Sequence, residues 1–280
     1  MTLSLYKKRT TLKLAPGEIH LWLVFSDEIQ EASLFKAYND LMTSEERERG
    51  RRFRFARHQR QFAVTRALVR TTLSRYSHIK PNQWRFDKNP YGRPEIKTSQ
   101  NSLGLQFNLS HTNGLIVCAV TQGAPKTECA IGVDVESIER KGATIEIADR
   151  FFSNRESADL RNIPEKDRRL RFFDYWTLKE AYIKACGMGL SIPLKQFSFH
   201  ITHQEPLSIS FAPELKDDPR CWQFWLLSPT QHHRVALAVR LKQELVCQLI
   251  LKKVTPLSTE QSFECPLSGN SLTSRLWGGV

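Results

Sequence analysis

The chain has 280 residues, a net charge of +12, and 40% apolar and 10% aromatic residues. That length holds one large domain or two smaller ones around a real core, and the composition excludes a disordered chain. No run of about 18 apolar residues occurs, so no membrane span is expected. The lysines of the first 16 residues are not followed by an apolar segment with a small-residue cleavage site, so no signal peptide is expected either. Six cysteines, at 118, 129, 186, 221, 247 and 265, show no C-x-x-C spacing. This pattern suits a reducing cytoplasm and argues against a disulfide scaffold or structural zinc.

Taken in order, residues 17–25 alternate and then become wholly apolar, which predicts a strand near the interior of a sheet. Ser44-Glu45-Glu46 reads as a helix start, with Ser44 as cap and acids in the first turn. Between Glu45 and Arg75 stand ten arginines against three glutamates, a surplus of seven positive charges. Such a face attracts a polyanion: nucleic acid, a phosphorylated small molecule or an acidic protein. Phe55, Phe62, Val69 and Tyr76 recur every seven residues, predicting a helix with these side chains inward and Arg66 and Arg70 away from them. A short strand is expected at Trp84-Arg85-Phe86. The turn-rich run Asn89-Pro90-Tyr91-Gly92-Arg93-Pro94 holds Arg93 on a rigid corner. Residues 105–120 read as a hairpin around His111-Thr112-Asn113-Gly114.

The polar stretch from Gln122 to Glu128 is the expected boundary between a first half (1–124) and a second (125–250). In Ile131-Gly132-Val133-Asp134-Val135-Glu136 the apolar residues face one way, and Gly132, Asp134 and Glu136 the other. Helices are expected from Ile145 to Phe152 and from Pro164 through Cys186, and strands at 196–211, 221–228 and 234–241. Beyond Leu251 the periodicity fades, predicting a mobile tail over 251–280.

The chemistry-bearing residues each admit two readings. Asp134 and Glu136 are two carboxylates on one strand face. They are either a solvated surface or two ligands for Mg²⁺, with Gly132 leaving room for a bulky ligand. Glu180 and Lys184, four apart on a helix, are alone an ordinary salt bridge. Ser110 and His111 adjoin on an extended strand and so point to opposite faces, which argues against a Ser/His hydrolase; a hairpin-end polar pair or a phosphate contact fits better. The arginine segment is either a solvated face or an anion site. No P-loop, no H-E-x-x-H and no strand-linked G-x-G-x-x-G is present. His232-His233 have no partner ligands at useful spacing and are expected at the surface.

Four segments in this order closely resemble one family. They are Gly92-Arg93-Pro94, Phe107-Asn108-Leu109-Ser110-His111, Ile131-Gly132-Val133-Asp134-Val135-Glu136, and Trp176-Thr177-Leu178-Lys179-Glu180-Ala181-Tyr182-Ile183-Lys184. They resemble the signatures of the 4′-phosphopantetheinyl transferases of the long, surfactin-synthetase-associated (Sfp-like) type, bacterial and cyanobacterial-like. Arg49-Gly50-Arg51-Arg52-Phe53 and Arg150-Phe151-Phe152 extend the match, which covers roughly residues 17–245.

The resemblance implies an α+β fold of two pseudo-symmetric halves, with the active site in the cleft between them, and a cytoplasmic monomer. It implies transfer of phosphopantetheine from coenzyme A to a serine of an apo acyl, peptidyl or aryl carrier protein, releasing adenosine 3′,5′-bisphosphate. Asp134, Glu136 and Glu180 are then ligands of Mg²⁺. Arg49, Arg52, Arg60, Ser110, His111, Asp134 and Lys184 would contact coenzyme A, with Arg93 along its adenosine. Glu180 would take the serine proton, directly or through a water, and Lys184 would neutralise or protonate the departing phosphate. Glu46 stands where relatives often carry a lysine, so that phosphate contact does not transfer. Neither nucleic acid nor membrane is expected as a partner. The competing readings are a basic nucleic-acid-binding module and a Mg²⁺-dependent phosphotransferase with another donor; the first leaves Asp134, Glu136 and Glu180 without a task.

Overall fold

The structure, a computed structural model, describes residues 10–123, 130–142, 145–202, 204–241 and 245–271. The chain divides into two units. The first comprises residues 1–88, 94–122 and 248–263; the second comprises 89–93, 123–247 and 264–280. One division lies at 122/123, within a stretch mostly outside the described residues, but the expected halves 1–124 and 125–250 are crossed twice: 89–93 go with the second unit and 248–263 with the first.

The first unit is built on β1 (Glu18–Phe25), whose apolar run is buried along nearly its whole length. Such a strand needs neighbours on both edges. It pairs antiparallel with β5 (Leu115–Gln122) on one side and parallel with β11 (Gln248–Thr255) on the other. With β4 (Leu105–Thr112) and β12 (Thr259–Ser262) the sheet order is β12-β11-β1-β5-β4. Helices α1 (Ala32–Leu41), α2 (Ser44–Arg51) and α3 (Ala56–Leu73) complete this unit, with the short hairpin β2 (Phe86–Lys88) and β3 (Pro94–Ile96). Trp22, Tyr38, Leu68, Tyr76 and Trp84 are fully or nearly fully buried at its centre.

Several expectations shift here. The α2 cap is Thr43, not Ser44: its hydroxyl accepts from the Glu46 amide while the Glu46 carboxylate accepts from the Thr43 amide. This reciprocal capping box needs Glu three residues after the cap, which selects Thr43. Phe55, expected inward, is half exposed at the N-cap of α3. Arg70, expected outward, is 1% exposed; its guanidinium donates to the Pro81 and Trp84 carbonyls and to Glu46.

The mobile-tail expectation fails for residues 251–270. Strand β11 begins a stretch that also holds β12 and β13 (Leu267–Asn270). The lost periodicity and the Ser, Thr, Pro and Gly content do not prevent it from pairing: the Lys252 and Lys253 ammonium groups lie 5.5 and 4.7 Å from the ring centres of Trp22 and Phe25. They also pair with Glu260 at 3.6 Å and Glu28 at 2.8 Å. Residues 272–280 lie outside the described residues.

The second unit carries a four-stranded sheet, in order β13-β9-β10-β6, from β6 (Ala130–Ser137), β9 (Trp222–Thr230), β10 (His233–Arg240) and β13. Helices α4 (Ile145–Phe151) and α5 (Asn154–Asn162) precede the long α6 (Glu165–Cys186), and β7 (Phe197–His200) pairs with β8 (Ser208–Phe211). Helix α6 packs on β6 and β10 over a core that includes Phe152, Phe173, Leu178, Phe199 and Phe224. Its polar residues sit in an otherwise apolar surround because the helix has neighbours on several sides. Among the described residues, no helix is long and apolar enough to cross a membrane.

Candidate active site

The site of the second unit begins with a glycine. A Cβ at Gly132 would lie 2.1 Å from the Ala181 carbonyl oxygen and 2.3 Å from the Ala185 nitrogen. The space predicted for a ligand is therefore filled by the backbone of α6. This close approach fixes the last turns of α6 against β6.

Where strand and helix meet, the Lys184 ammonium lies 2.6 Å from Asp134 Oδ1. Asp134 is 4% exposed, and Glu136, two residues on, is 8% exposed. Glu136 Oε1 accepts from Arg140 at 2.8 Å and from the Trp176 indole at 3.2 Å. Lys184 thus pairs across to the strand.

Glu180 is pushed from its ordinary 4.5 to about 7, first by burial and then by the charge of Asp134, with Glu136 adding and Lys184 and Arg140 opposing. Glu136 is raised for the same reasons, burial first and Asp134 second. Two buried carboxyl groups raised by the charge of a third form a site that favours added positive charge. Among the described residues, no group of three or more His, Cys, Asp and Glu side chains is arranged as a ready-made metal cage. Lys184 and Arg140 instead serve as the cations on Asp134 and Glu136. The donor set still fits Mg²⁺ chemically, because that ion takes one or two carboxylates and fills its other positions with water and phosphate oxygens.

Lys179, next to Glu180, faces the opposite way. It is 1% exposed, donates to the Leu194 and Phe197 carbonyls at 2.8 Å each, and lies 2.8 Å from the fully buried Glu156. Glu156 in turn accepts the Phe199 and Ser153 amides. This buried pair ties α5, α6 and β7 into one block beneath the site. Sequence reasoning missed this role, and also those of Trp176 and Arg140. The four-residue step from Glu136 was the available signal for Arg140.

Arg93 is not held out on its corner. Its guanidinium donates to the Lys184 and Ala185 carbonyls at 2.9 and 3.0 Å and to Ile131 at 3.0 Å.

The remaining candidates belong to the first unit. Ser110 is buried and His111 exposed, so the two point to opposite faces as expected. Arg49 lies over the Phe62 ring at 5.9 Å, Arg52 pairs with Glu48 at 2.7 Å, and Arg60 covers Phe35 at 5.5 Å. Arg60 also lines a groove of about 510 Å³ floored by Phe35, Met42 and Phe62. Glu46 is held by Arg70 at 2.6 Å and Arg66 at 3.6 Å. His232 is exposed, as expected, and lies 3.0 Å from Glu139.

Two linked α+β units, one with an acid and base cluster between a strand and a long helix, define the class. Known proteins make it specific. Residues 130–239 match the model of the 4′-phosphopantetheinyl transferase superfamily, and residues 30–123 match that of the 4′-phosphopantetheinyl transferase N-terminal region. The 4′-phosphopantetheinyl transferase HetI of Nostoc sp. is 35% identical over 76% of this chain and 89% of its own length. A 4′-phosphopantetheinyl transferase of Bacillus subtilis is 33% identical, over 60% of this chain and 70% of its own. The transferase Sfp of Bacillus subtilis strain 168 is 31% identical over 61% and 72%. The chain belongs to the 4′-phosphopantetheinyl transferase superfamily, as an enzyme of the Sfp-like type with cyanobacterial relatives.

Proposed function

We propose that the protein moves the 4′-phosphopantetheine arm of coenzyme A onto a serine hydroxyl of an apo carrier protein, with Mg²⁺, releasing adenosine 3′,5′-bisphosphate. The observation that carries this reading is the cluster of Asp134, Glu136, Glu180 and Lys184, with Glu180 raised to about 7 beside the Asp134–Lys184 pair. Asp134, Glu136 and Glu180 would hold the metal, which when bound supplies Lewis acidity and a template for the pyrophosphate. Glu180 would take the serine proton, directly or through a water, since a carboxylate beside a cation is a weak base on its own. Lys184, on the same face of α6 and one turn on, neutralises charge on the departing phosphate. Arg49, Arg52, Arg60, Ser110 and His111 of the first unit complete the phosphate contacts; this part rests on the resemblance alone. We place the enzyme in the cytoplasm as a monomer.

The test is intact mass. Apo carrier proteins incubated with enzyme, coenzyme A and Mg²⁺ should gain one phosphopantetheine each, and a chelator should stop the gain. No gain across several carriers, or a gain indifferent to chelation, would overturn the reading. Binding of oligonucleotides with a steep salt dependence, and no transfer, would favour the nucleic-acid alternative instead.

A further inference from the structure

Helix α6 ends at Cys186 and is followed by Gly187, whose φ of 69° is the left-handed conformation of a helix stop. The last carbonyls of a helix run short of amides ahead of them: the Gly187 amide reaches the carbonyls of Ile183 and Lys184 at 3.1 and 3.2 Å. Further donors come from a turn some ninety residues earlier in the chain. The Asn89 side-chain amide donates to the Gly187 carbonyl at 2.9 Å, and Arg93 takes the Lys184 and Ala185 carbonyls. The turn itself is rigid. The Asn89 side-chain oxygen accepts the Tyr91 and Arg93 amides, and the Asn89 amide donates to the Arg93 carbonyl. Arg93 also donates to Ile131 on β6, so one guanidinium joins the end of the helix to the strand carrying Asp134. A cation on C-terminal carbonyls is favoured by the helix dipole, and the planar guanidinium can serve several acceptors at once.

From this geometry we propose that Arg93 is a positioning residue for Lys184. It holds the last turn of α6 in register with β6, so that the Lys184 ammonium meets Asp134, and it acts on the reaction through the helix rather than by touching the donor nucleotide. The inference rests on the reaction proposed above and differs from the adenosine contact that the resemblance implied.

The experiment compares Arg93→Ala, Arg93→Lys, Lys184→Gln and the Arg93→Ala/Lys184→Gln double variant. Helix displacement of about 1 Å can cost up to roughly a hundredfold in rate. Arg93→Ala should therefore lower kcat by roughly ten- to a hundredfold while leaving KM for coenzyme A within about twofold. Arg93→Lys, which can reach one or two of the three carbonyls, should recover part of the loss. In the Lys184→Gln background, Arg93→Ala should cost less than about a further twofold, the mark of two residues acting as one unit. Hydrogen exchange of the amides of residues 183–187 should speed up in Arg93→Ala; this decides the anchoring whether or not transfer is observed. A large rise in KM for coenzyme A with kcat preserved would overturn the proposal in favour of a donor contact. So would multiplicative losses in the double variant, or unchanged exchange at 183–187.

Discussion

Gly132→Ala is the smallest change that should disturb both the fold and the site. The added Cβ would sit 2.1 Å from the Ala181 oxygen and 2.3 Å from the Ala185 nitrogen, both backbone atoms of α6. A carbon rests no closer than about 3.3 Å from a carbonyl oxygen, so helix and strand must part by roughly 1 Å. Overpacking of this kind costs about 1–3 kcal/mol, and rigid backbone on the opposing side places it near 3 kcal/mol. A domain stable by about 5–15 kcal/mol should still fold. Its melting temperature should fall by roughly 6–12 °C, at about 2–4 °C per kcal/mol for a chain of this size. The same displacement draws Glu180 and Lys184 away from Asp134, so phosphopantetheine transfer should drop by tenfold or more at temperatures where the variant is folded. Circular dichroism melts and intact-mass time courses measure the two effects. A variant that melts within about 1 °C of wild type and turns over normally would refute the contact between α6 and β6.

Glu180 gives a pH dependence with a definite sign. Its carboxyl group titrates near 7 in the folded protein and near 4.5 when unfolded. Between those values the unfolded chain loses the proton first, so stability falls as pH rises from about 4.5 to 7 and stays reduced above. The loss is at most about 3 kcal/mol, and less because the side chain is partly exposed. In chelator, Glu180→Gln should flatten this slope and melt higher than wild type at pH 8; an identical slope would remove Glu180 as its source. Lys179→Met should destabilise by about 3–5 kcal/mol by stranding Glu156, and Lys179→Met/Glu156→Leu should recover most of that in a denaturant titration. Equal losses in the single and double variants would show that the pair is not coupled. Truncation after Cys247 removes β11 and β12 from the first sheet and the edge strand β13 from the second, so both units should melt lower and the first should lose its cooperative melt; a truncated protein that melts like the full chain would contradict the pairing of β1 with β11.

The chemistry was more legible in the chain than the framework that holds it. Asp134 and Glu136 could be placed on one face because strands alternate, and Glu180 with Lys184 because four residues make about a helical turn. Both relations are local. The misreadings depend on what arrives from afar. Gly132 looked like space for a ligand, but α6 fills it. Arg93 looked like a projecting corner until three distant carbonyls claimed its guanidinium. Lys179 received no role from the sequence, because the 194–197 segment and Glu156 that bury it come from elsewhere in the chain. The strand at 248–255 exists because it pairs with β1 from the other end of the chain, a partnership no window of sequence contains.

The parallel pairing of β1 with β11 also bears on the order of synthesis. Strand β1 lies near the beginning of the chain, and its partner Gln248–Thr255 is made only after the central part of the second unit. As the chain emerges from N- to C-terminus, the first unit has β1, β4, β5 and its helices long before it can close the other edge of β1. An open apolar edge invites wrong pairing for as long as it persists. The first unit to be translated therefore waits for most of the second before its own sheet can close, and a break near residue 123 would leave an amino-terminal fragment in which β1 lacks its β11 neighbour.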